Sequence, residues 1–306
     1  MKVLVVGGRG FVGTALSSEL EAAGHEVTSL SRRDGLDLTD LENTRSTLAT
    51  VAPEAIFNAA AHVGSLHYVT TFAADVFCDN VLMALNLYKA AAAVCPETLI
   101  VNPLSNCSYP GDADTHFEPE WWAGEVHDSV FGYGNAKRVI YVLSKCFGKQ
   151  YGVRSINFLV PNAFGPGDYT DPNKTHAMNG MIIRMLQARK NGAGEFEIWG
   201  SGAPVREWGY IKDVVKILSL SLKVEGEQIY PVNIGQNSGY SIRQSAELIA
   251  RAVGFDGRLV FNTKYQDGAP LKILDDRAFR KMFPDFKFYD HAQGIRETVE
   301  YYEHII

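Results

Sequence analysis

The sequence predicts an α/β protein built on a doubly wound parallel sheet. In the first half of the chain, short runs of β-branched and apolar residues alternate with longer segments of helical periodicity. Because both faces of a parallel sheet are covered, the apolar runs are expected to be buried strands. They lie at residues 2–6, 26–30, 54–58 and 98–102. The amphipathic segments between them occupy residues 11–24, 41–51 and 72–94. A helix over about 131–150 and a strand over 155–159 continue the alternation.

The pattern changes near residue 161, because prolines, glycines and aspartates make residues 161–172 rich in turns. A helix beginning near His176 and another introduced by the capping residue Ser241 are expected beyond this stretch. The other expected elements are a helix over 211–223, two short C-terminal helices, and strands within 195–200, 229–235 and 258–262. We therefore predict a nucleotide-binding domain over residues 1–160, to which later segments return, and a smaller α/β substrate domain over most of 161–306.

Net charge, hydrophobic runs and cysteine spacing limit the classes of partner that the chain is expected to bind. The net charge of −6 argues against nucleic acid or an anionic membrane as the main partner. No apolar run approaches the roughly 18 residues of a membrane span. The four cysteines lack CxxC or other metal-ligand spacing, so no metal site is expected and reduced thiols in the cytoplasm are the simplest interpretation. A small anionic ligand is compatible with this charge, because a local group of arginines and lysines can hold it.

The chain begins with MKVLVVGGRGFVG, in which Gly7, Gly10 and Gly13 lie between the first strand and the first helix. Glycines at such positions allow a tight turn and let the backbone approach a pyrophosphate at the positive end of the helix. The glycine pattern alone is weak evidence, but its place in a βαβ unit is the context that a dinucleotide-binding motif requires. The sequence therefore predicts a Rossmann-type cofactor site.

The end of the second strand indicates which nicotinamide cofactor is bound. NAD sites usually carry Asp or Glu there, to hold the ribose 2′-hydroxyl. This chain has Arg32 and Arg33 instead, with Arg9 in the glycine loop. Guanidinium groups suit a 2′-phosphate through charge-assisted hydrogen bonds. We therefore predict NADP(H), with Asp37 and Leu38 bordering the adenine; the alternative is that the arginines simply solvate a loop.

Three residues form a candidate hydride-transfer site. Tyr133 and Lys137 are spaced i, i+4, so they lie on one face of a helix. An ammonium beside a phenol is expected to lower the pKa of the tyrosine toward working pH, which makes Tyr133 a candidate acid for a carbonyl oxygen. Ser105 follows the fourth strand, at the edge where doubly wound folds bind ligands, and is suited to donate a second hydrogen bond to that oxygen.

Several segments resemble the extended short-chain dehydrogenase/reductases, and among them the GDP-L-fucose synthase family, over essentially the whole length. SNCSYP (105–110) is similar to the family's SSCIYP, and YGNAK (133–137) to its YxxxK. PNAFGPGDYTDPNKTH (161–176), WGSGAPVREW (199–208) and DGAPLKILD (267–275) resemble PTNLYGP…SNSH, WGSGTPMREF and DGTPRKLLD. The resemblance implies an NADPH-dependent 3,5-epimerase/4-reductase of a GDP-linked 4-keto-6-deoxy sugar.

The same resemblance assigns reduction to Ser105, Tyr133 and Lys137, and epimerisation to Cys107 and His176. In a 4-keto sugar the hydrogens on C3 and C5 are both α to the carbonyl, and the donors that later serve reduction stabilise the enolate. Inversion needs a proton removed on one face of a carbon and delivered on the other, for which a thiol and an imidazole are suited. Which of the two is the base stays open.

The resemblance also implies the partners of the chain. Arg206 and Lys272 correspond to residues that meet the nucleoside diphosphate, where two cations make physical sense. Asn162 and Trp199 are further candidates for the nucleotide-sugar pocket. A homodimer is implied as well, with a four-helix interface made by the helices near 72–94 and 131–150.

Some features depart from the family pattern. Leu271 stands where the family has Arg, and residues 121–134, before the catalytic helix, differ from the family's EPTNEPYA. These departures leave the nucleotide and the sugar open. His62 and His67 follow the third strand near the cofactor, and no catalytic role is predicted for them.

Three alternatives therefore stay open. The first is a C4-reductase without epimerase activity, acting on a related GDP-linked 6-deoxy-4-keto sugar or heptose. The second is an NAD-dependent nucleotide-sugar 4-epimerase, which Arg32 and Arg33 disfavour. The third is a non-catalytic NADP-binding protein, which the intact Ser–Tyr–Lys set disfavours.

Overall fold

The computed structural model describes residues 1–113, 115–224, 230–265, 267 and 269–306. In chain order, the strands of this part are β1 (Lys2–Val6), β2 (Glu26–Leu30), β3 (Ala55–Asn58), β4 (Leu99–Ser105), β5 (Arg154–Val160), β6 (Asn162–Phe164), β7 (Glu195–Trp199), β8 (Val205–Arg206), β9 (Trp208–Tyr210), β10 (Val232–Asn233), β11 (Tyr240–Ser241), β12 (Arg258–Asn262) and β13 (Leu271–Lys272). Its α-helices are α1 (Phe11–Ala22), α2 (Leu41–Val51), α3 (Leu66–Thr71), α4 (Ala73–Val94), α5 (Phe131–Tyr151), α6 (Ala177–Lys190), α7 (Ile211–Leu220), α8 (Ile242–Val253), α9 (Arg277–Met282) and α10 (His291–Glu303).

The main sheet is parallel throughout and has the strand order β2–β1–β3–β4–β5–β10. The chain passes from β1 to β2 on one side and then crosses to β3 on the other, so the winding reverses between β1 and β3. Doubly wound sheets bind ligands at the carboxyl ends of the strands beside such a reversal. The predicted α/β fold with a doubly wound parallel sheet is confirmed.

Helices cover both faces of this sheet, as its apolar strands predict. Val5 packs in a core with Leu16 and Leu20 of α1, whereas Leu4 packs in a separate core with Leu87 of α4. All five side chains are 0% exposed. Full burial of one such side chain stabilises the fold by about 1.5–3 kcal/mol. This packing holds the loops after the strands in fixed positions.

The second half of the chain adds small sheets with the orders β11–β8–β13, β12–β7 and β6–β9. One later strand, β10, joins β5 in the main sheet; the division at residue 160 stays a prediction. The strand expected over 229–235 is shorter, Val232–Asn233, and Ile229 lies outside the described residues. None of the described helices is long and apolar enough to cross a bilayer.

The predicted cap of α8 is confirmed. The backbone N–H of Gln244 donates to the Ser241 hydroxyl at 3.1 Å, and the Gln244 side chain accepts from the Ser241 N–H at 2.8 Å. This reciprocal capping box satisfies two backbone donors that a helix start otherwise leaves unpaired.

Candidate functional site

The glycine loop fits tightly between β1, β3 and α1. Gly7 has a φ of 79°, and a Cβ at this position would lie 2.5 Å from the backbone nitrogen of Ala60, just after β3. A Cβ at Gly13 would lie 2.2 Å from the carbonyl oxygen of Gly7. Gly10 is the N-cap of α1 and provides no side-chain cap. The backbone N–H groups at the start of α1 therefore stay open at the strand reversal, which suits a pyrophosphate.

The arginines beside this loop do not form a free cluster. Nε of Arg9 donates to both carboxylate oxygens of Asp34, at 2.8 and 2.9 Å. This guanidinium holds the pKa of Asp34 well below its usual range. Nε of Arg32 lies 3.8 Å from the carboxylate of Asp37. Arg33 is exposed and forms no salt bridge within the described part of the chain, so it is the arginine that stays available for a phosphate.

The two residues expected beside the adenine have different surroundings. The carboxylate of Asp37 accepts hydrogen bonds from the backbone and hydroxyl of Thr39, at 3.0 and 2.7 Å, and these bonds lower the pKa of Asp37. The side chain of Leu38 is buried in the core beside Leu48, and its carbonyl accepts from the Asn86 amide at 2.9 Å. Leu38 therefore presents no side chain to a ligand.

A cavity of about 530 Å³ opens at the carboxyl ends of the central strands. This volume lies within the range of small-molecule sites. The predicted site residues that line it are Gly10, Ser105, Cys107, Tyr133, Lys137, Asn162, His176, Arg206 and Lys272. Trp199 lies outside this lining: it is 61% exposed and stacks on Tyr265, with 4.5 Å between the ring centroids. The structure thus unites the five predicted catalytic residues and does not bring Trp199 to them.

Ser105, Tyr133 and Lys137 meet at one wall of the cavity. Ser105 ends β4, and its hydroxyl interacts with the hydroxyl of Tyr133, in the first turn of α5, so as to favour the ionised phenol. Nζ of Lys137 lies 5.5 Å from the centroid of the Tyr133 ring and donates to the carbonyl of Pro103 at 3.3 Å. Two hydroxyl groups and an ammonium therefore face one small volume, where a carbonyl oxygen can accept from both hydroxyls.

Burial governs the charge states of this group. Burial raises the pKa of Tyr133, the nearby Cys107 adds to the rise, and the interaction with the Ser105 hydroxyl opposes it. Burial also lowers the pKa of Lys137 to about 8. The expectation that the pKa of Tyr133 is lowered toward working pH is wrong, because desolvation raises this pKa and is its largest cause. Tyr133 is a neutral phenol at neutral pH, which is the state that a proton donor needs.

Cys107 lies in the 3₁₀ turn Asn106–Ser108 after β4, beside two cations. Its backbone N–H donates to the Ser105 hydroxyl at 3.2 Å, and Nζ of Lys272 lies 3.8 Å from its Sγ. Strands β13 and β8 pair in parallel, with Lys272 directly opposite Arg206. Neither cation forms a salt bridge in the described ranges, and burial lowers the pKa of Arg206. Two cations without a salt-bridge partner are suited to a phosphate group.

His176 is held by Asp168, to which no role was given from sequence. Oδ2 of Asp168 accepts from the backbone N–H of His176 at 2.8 Å, from its Nδ1 at 3.1 Å and from the Asn179 amide at 2.9 Å. Burial alone would raise the pKa of Asp168, but the bonds from His176 hold it below its ordinary value. Because a carboxylate only accepts, Nδ1 carries the hydrogen and Nε2 is the free acceptor of the ring.

Further polar residues line the cavity without having been predicted, among them His62, Tyr68, His127 and Ser129. Nδ1 of His127 lies 2.8 Å from the hydroxyl of Ser129. Both belong to residues 121–134, and the departure of that segment from the family pattern was the only sequence signal for them. Within the described ranges, no group of three or more His, Cys, Asp or Glu side chains is placed to hold a metal ion.

Known proteins show the same combination of fold and sequence. The model of the NAD dependent epimerase/dehydratase family matches residues 3–235. A GDP-L-fucose synthase of Sinorhizobium fredii is 32% identical over 282 residues, which cover 92% of this chain and 89% of that protein. The GDP-L-fucose synthase of Escherichia coli is 30% identical over 283 residues, 90% and 88% of the two chains. The NADP-bound structure of a GDP-L-fucose synthetase from Naegleria fowleri superposes with a TM-score of 0.89 at 26% identity, covering 99% of this chain and 92% of that one.

Proposed function

This chain belongs to the NAD dependent epimerase/dehydratase family, and we propose that it is an NADPH-dependent epimerase/reductase of the GDP-L-fucose synthase type. It inverts C3 and C5 of a GDP-linked 4-keto-6-deoxy sugar and reduces C4. One observation carries the proposal. A single cavity is lined by the Ser105–Tyr133–Lys137 set and also by Cys107 and His176.

The residues of the glycine loop fit NADP(H). Gly7 and Gly13 leave no space for side chains where the loop meets the end of β3 and α1, and the N-terminus of α1 is open for a pyrophosphate. Arg33 is free to bind a 2′-phosphate. When bound, NADPH supplies the hydride for C4. The related GDP-L-fucose synthetase from Naegleria fowleri binds NADP, which supports this choice of cofactor.

Reduction at C4 requires a proton for the carbonyl oxygen. Tyr133 is neutral and donates its phenolic proton there, while Ser105 donates a second hydrogen bond to the same oxygen. The ammonium of Lys137, close to the Tyr133 ring, stabilises the phenolate that remains. The same two hydroxyls stabilise the enolate during epimerisation.

Epimerisation assigns proton transfer at carbon to Cys107 and His176. Asp168 fixes the tautomer of His176, so that Nε2 is the nitrogen that exchanges a proton with the substrate. Arg206 and Lys272 hold the diphosphate in this proposal, and the contact of Lys272 with Cys107 Sγ supports a phosphate site next to the reacting sugar. Which residue acts as base at which carbon stays open.

A C4-reductase without epimerase activity is the second candidate. It is favoured by His127 and Ser129, because both line the cavity and belong to the segment in which the chain departs from the family pattern. A different sugar would meet these side chains.

A direct assay of NADPH consumption tests the proposal. Purified protein is mixed with GDP-4-keto-6-deoxymannose, and consumption of NADPH is followed by absorbance. Turnover with this substrate is the expected result. Turnover only with a GDP-linked 4-keto-heptose would favour the second candidate, and NADPH binding without turnover of either sugar would contradict both.

Replacement of Arg33 is expected to change cofactor preference. Arg33→Ala should raise KM for NADPH by on the order of tenfold, since a charge-assisted hydrogen bond contributes about 1.5–3 kcal/mol, and should leave KM for NADH unchanged. Only NADPH carries the 2′-phosphate. Arg154→Ala is a matched control, because Arg154 is exposed at the opposite end of the sheet. Equal effects on both cofactors would contradict the assignment.

The pKa of Lys137 predicts a pH dependence. Burial lowers this pKa to about 8, so the ammonium is lost as pH rises through 8, and kcat/KM for reduction should fall there. In Lys137→Arg the cation persists at all accessible pH values. The fall of kcat/KM on the alkaline side of the profile should therefore move to higher pH. A pH–rate profile of kcat/KM reports the free enzyme. A fall that stays at the same pH in Lys137→Arg would show that another group causes it.

The proposal includes a homodimer in the cytoplasm. Helices α4 and α5 pack together and leave apolar side chains uncovered, among them Leu82 (40% exposed) and Val142 (44% exposed). These side chains support a four-helix interface with a second copy. Sedimentation is expected to give a dimer for the wild type and a monomer for Leu82→Asp/Val142→Asp.

The four cysteines are free thiols, which supports the proposal that the protein works in a reducing compartment, the cytoplasm.

A further inference from the structure

Three side chains, two of which line the cavity, form a hydrogen-bonded row that the proposed mechanism does not use. Nδ1 of His62 lies 2.8 Å from Oδ2 of Asp79, and its Nε2 lies 2.8 Å from the hydroxyl of Tyr68. His62 follows β3, Tyr68 lies on α3 and Asp79 lies on α4. The backbone of His62 is fixed as well, because Asn80 accepts from its N–H at 3.1 Å and donates to its carbonyl at 2.8 Å.

The chemistry of Asp79 sets the direction of these hydrogen bonds. A carboxylate only accepts, so Nδ1 of His62 carries the hydrogen and Nε2 is an acceptor. The hydroxyl of Tyr68 therefore donates to Nε2, and lone pairs of its oxygen stay available. Tyr68 is thus able to accept a proton while its own hydroxyl proton passes to His62. The imidazolium that forms lies beside the carboxylate of Asp79.

One end of the row lines the same cavity as the residues that exchange protons with the sugar. Tyr68 and His62 line the cavity together with Cys107 and His176. Tyr68, Cys107 and Tyr133 pack against one apolar cluster, which consists of Val69, Val76, Val126 and Val130.

The loop before Tyr68 also meets the loop that leads to His176. The backbone N–H of Ser65 donates to the carbonyl of Asn173 at 2.8 Å. The other end of the row reaches solvent, since the side chain of Asp79 is 43% exposed. The row therefore joins the cavity to the surface.

Inversion of C3 and then of C5 requires proton exchange between the catalytic residues and solvent. Each inversion leaves the base with an extra proton and the acid without its proton. In a manno-configured 4-keto sugar the hydrogens on C3 and C5 lie on the same face of the ring, so one base serves both carbons. Before the second inversion, the base must lose a proton and the acid must regain one.

We propose that Tyr68, with His62 and Asp79 behind it, is a third proton-transfer residue that resets the Cys107–His176 pair between the two inversions. This inference rests on the proposed function. Tyr68 takes up the surplus proton as its hydroxyl proton moves to His62, and a proton leaves to solvent beside Asp79. The reverse movement delivers a proton to the acid, so the row ends in its starting state. His62 and Asp79 are positioning residues.

Labelling of the product tests this role. Wild type and Tyr68→Phe are each incubated with GDP-4-keto-6-deoxymannose and NADPH in D2O, and the product is analysed by mass spectrometry. Wild type should give product with deuterium at both C3 and C5. In Tyr68→Phe the ratio of singly to doubly labelled product should rise by tenfold or more, on the order of a general acid–base contribution. In a single turnover, with enzyme in excess over the sugar, the first inversion does not need the reset, so the rate of the first incorporation should be unchanged.

Two further variants complete the design. Tyr169→Phe removes another phenol from the cavity lining, one whose hydroxyl has no hydrogen bond in the described residues, and should give the wild-type labelling pattern. Asp79→Asn no longer dictates the tautomer of His62 and should raise the singly labelled fraction in the same direction as Tyr68→Phe.

The outcomes separate the two claims. Wild-type labelling in both Tyr68→Phe and Asp79→Asn would overturn the relay while leaving the proposed function intact. Reduction without any deuterium in wild type would instead remove the epimerase activity, and the relay with it. If Tyr68→Phe fails to fold, as judged by its melting temperature, the decision passes to Asp79→Asn, and wild-type labelling in that variant overturns the relay.

Discussion

Tyr133→Phe is expected to lower kcat for C4 reduction by about 10²- to 10⁴-fold, the range of a lost general acid, while NADPH binds as in wild type. The substitution removes only the hydroxyl, because the phenyl ring keeps its packing against the apolar cluster shared with Cys107 and Tyr68. Burial keeps this phenol neutral, and it lies beside both the Ser105 hydroxyl and the ammonium of Lys137. The substitution therefore removes the proton donor that the proposed mechanism assigns to the carbonyl oxygen.

Single-turnover reduction and NADPH titration measure the two quantities separately. Tyr151→Phe is the control, since this tyrosine ends the same helix α5, is exposed, and bonds only to Gln150 among the described residues. Reduction by Tyr133→Phe at the wild-type rate would remove Tyr133 as the acid. Loss of NADPH binding would show that the substitution damaged the cofactor site.

Cys107→Ser is expected to separate epimerisation from reduction. Deuterium incorporation at C3 and C5 should fall by about 10²-fold or more, because a serine hydroxyl exchanges protons with carbon far less readily than a thiol. Hydride transfer to a substrate that has already been inverted should be unchanged. The serine retains the backbone hydrogen bond to Ser105, so the turn that positions the reduction site is preserved.

The matched control is Cys95→Ser, at the C-terminal end of α4. Burial raises the pKa of this thiol to about 11, and the residue does not line the cavity. Both activities should therefore persist in Cys95→Ser. An equal loss of both activities in Cys107→Ser would contradict the division of roles.

Sequence periodicity predicted the main sheet well because it reports burial directly. Apolar runs such as residues 2–6 and 98–102 are covered on both faces, and amphipathic segments such as 72–94 have one buried side. The glycine spacing likewise reflects close backbone approach, which Gly7 and Gly13 show in the structure. The strand predicted over 229–235 is longer than the strand in the structure. Its observed length is set by pairing with β5, which involves only Val232 and Asn233.

The interior of the site was less predictable, since it depends on contacts between distant parts of the chain. Asp34 stands next to Arg33 in the sequence, yet its pairing with Arg9 requires the turn after β2 to fold back on the glycine loop. The sign of the pKa change at Tyr133 follows from burial, which a helical spacing does not report. The bond between Asp79 and His62 joins two elements whose contact no motif indicates.

The measurement that tests the central claim most directly is the incubation of wild-type protein with GDP-4-keto-6-deoxymannose and NADPH in D2O, with mass spectrometry of the product. If one cavity performs both reactions, the product is reduced at C4 and carries deuterium at C3 and at C5. A reduced product without deuterium would contradict the account and identify a dedicated C4-reductase.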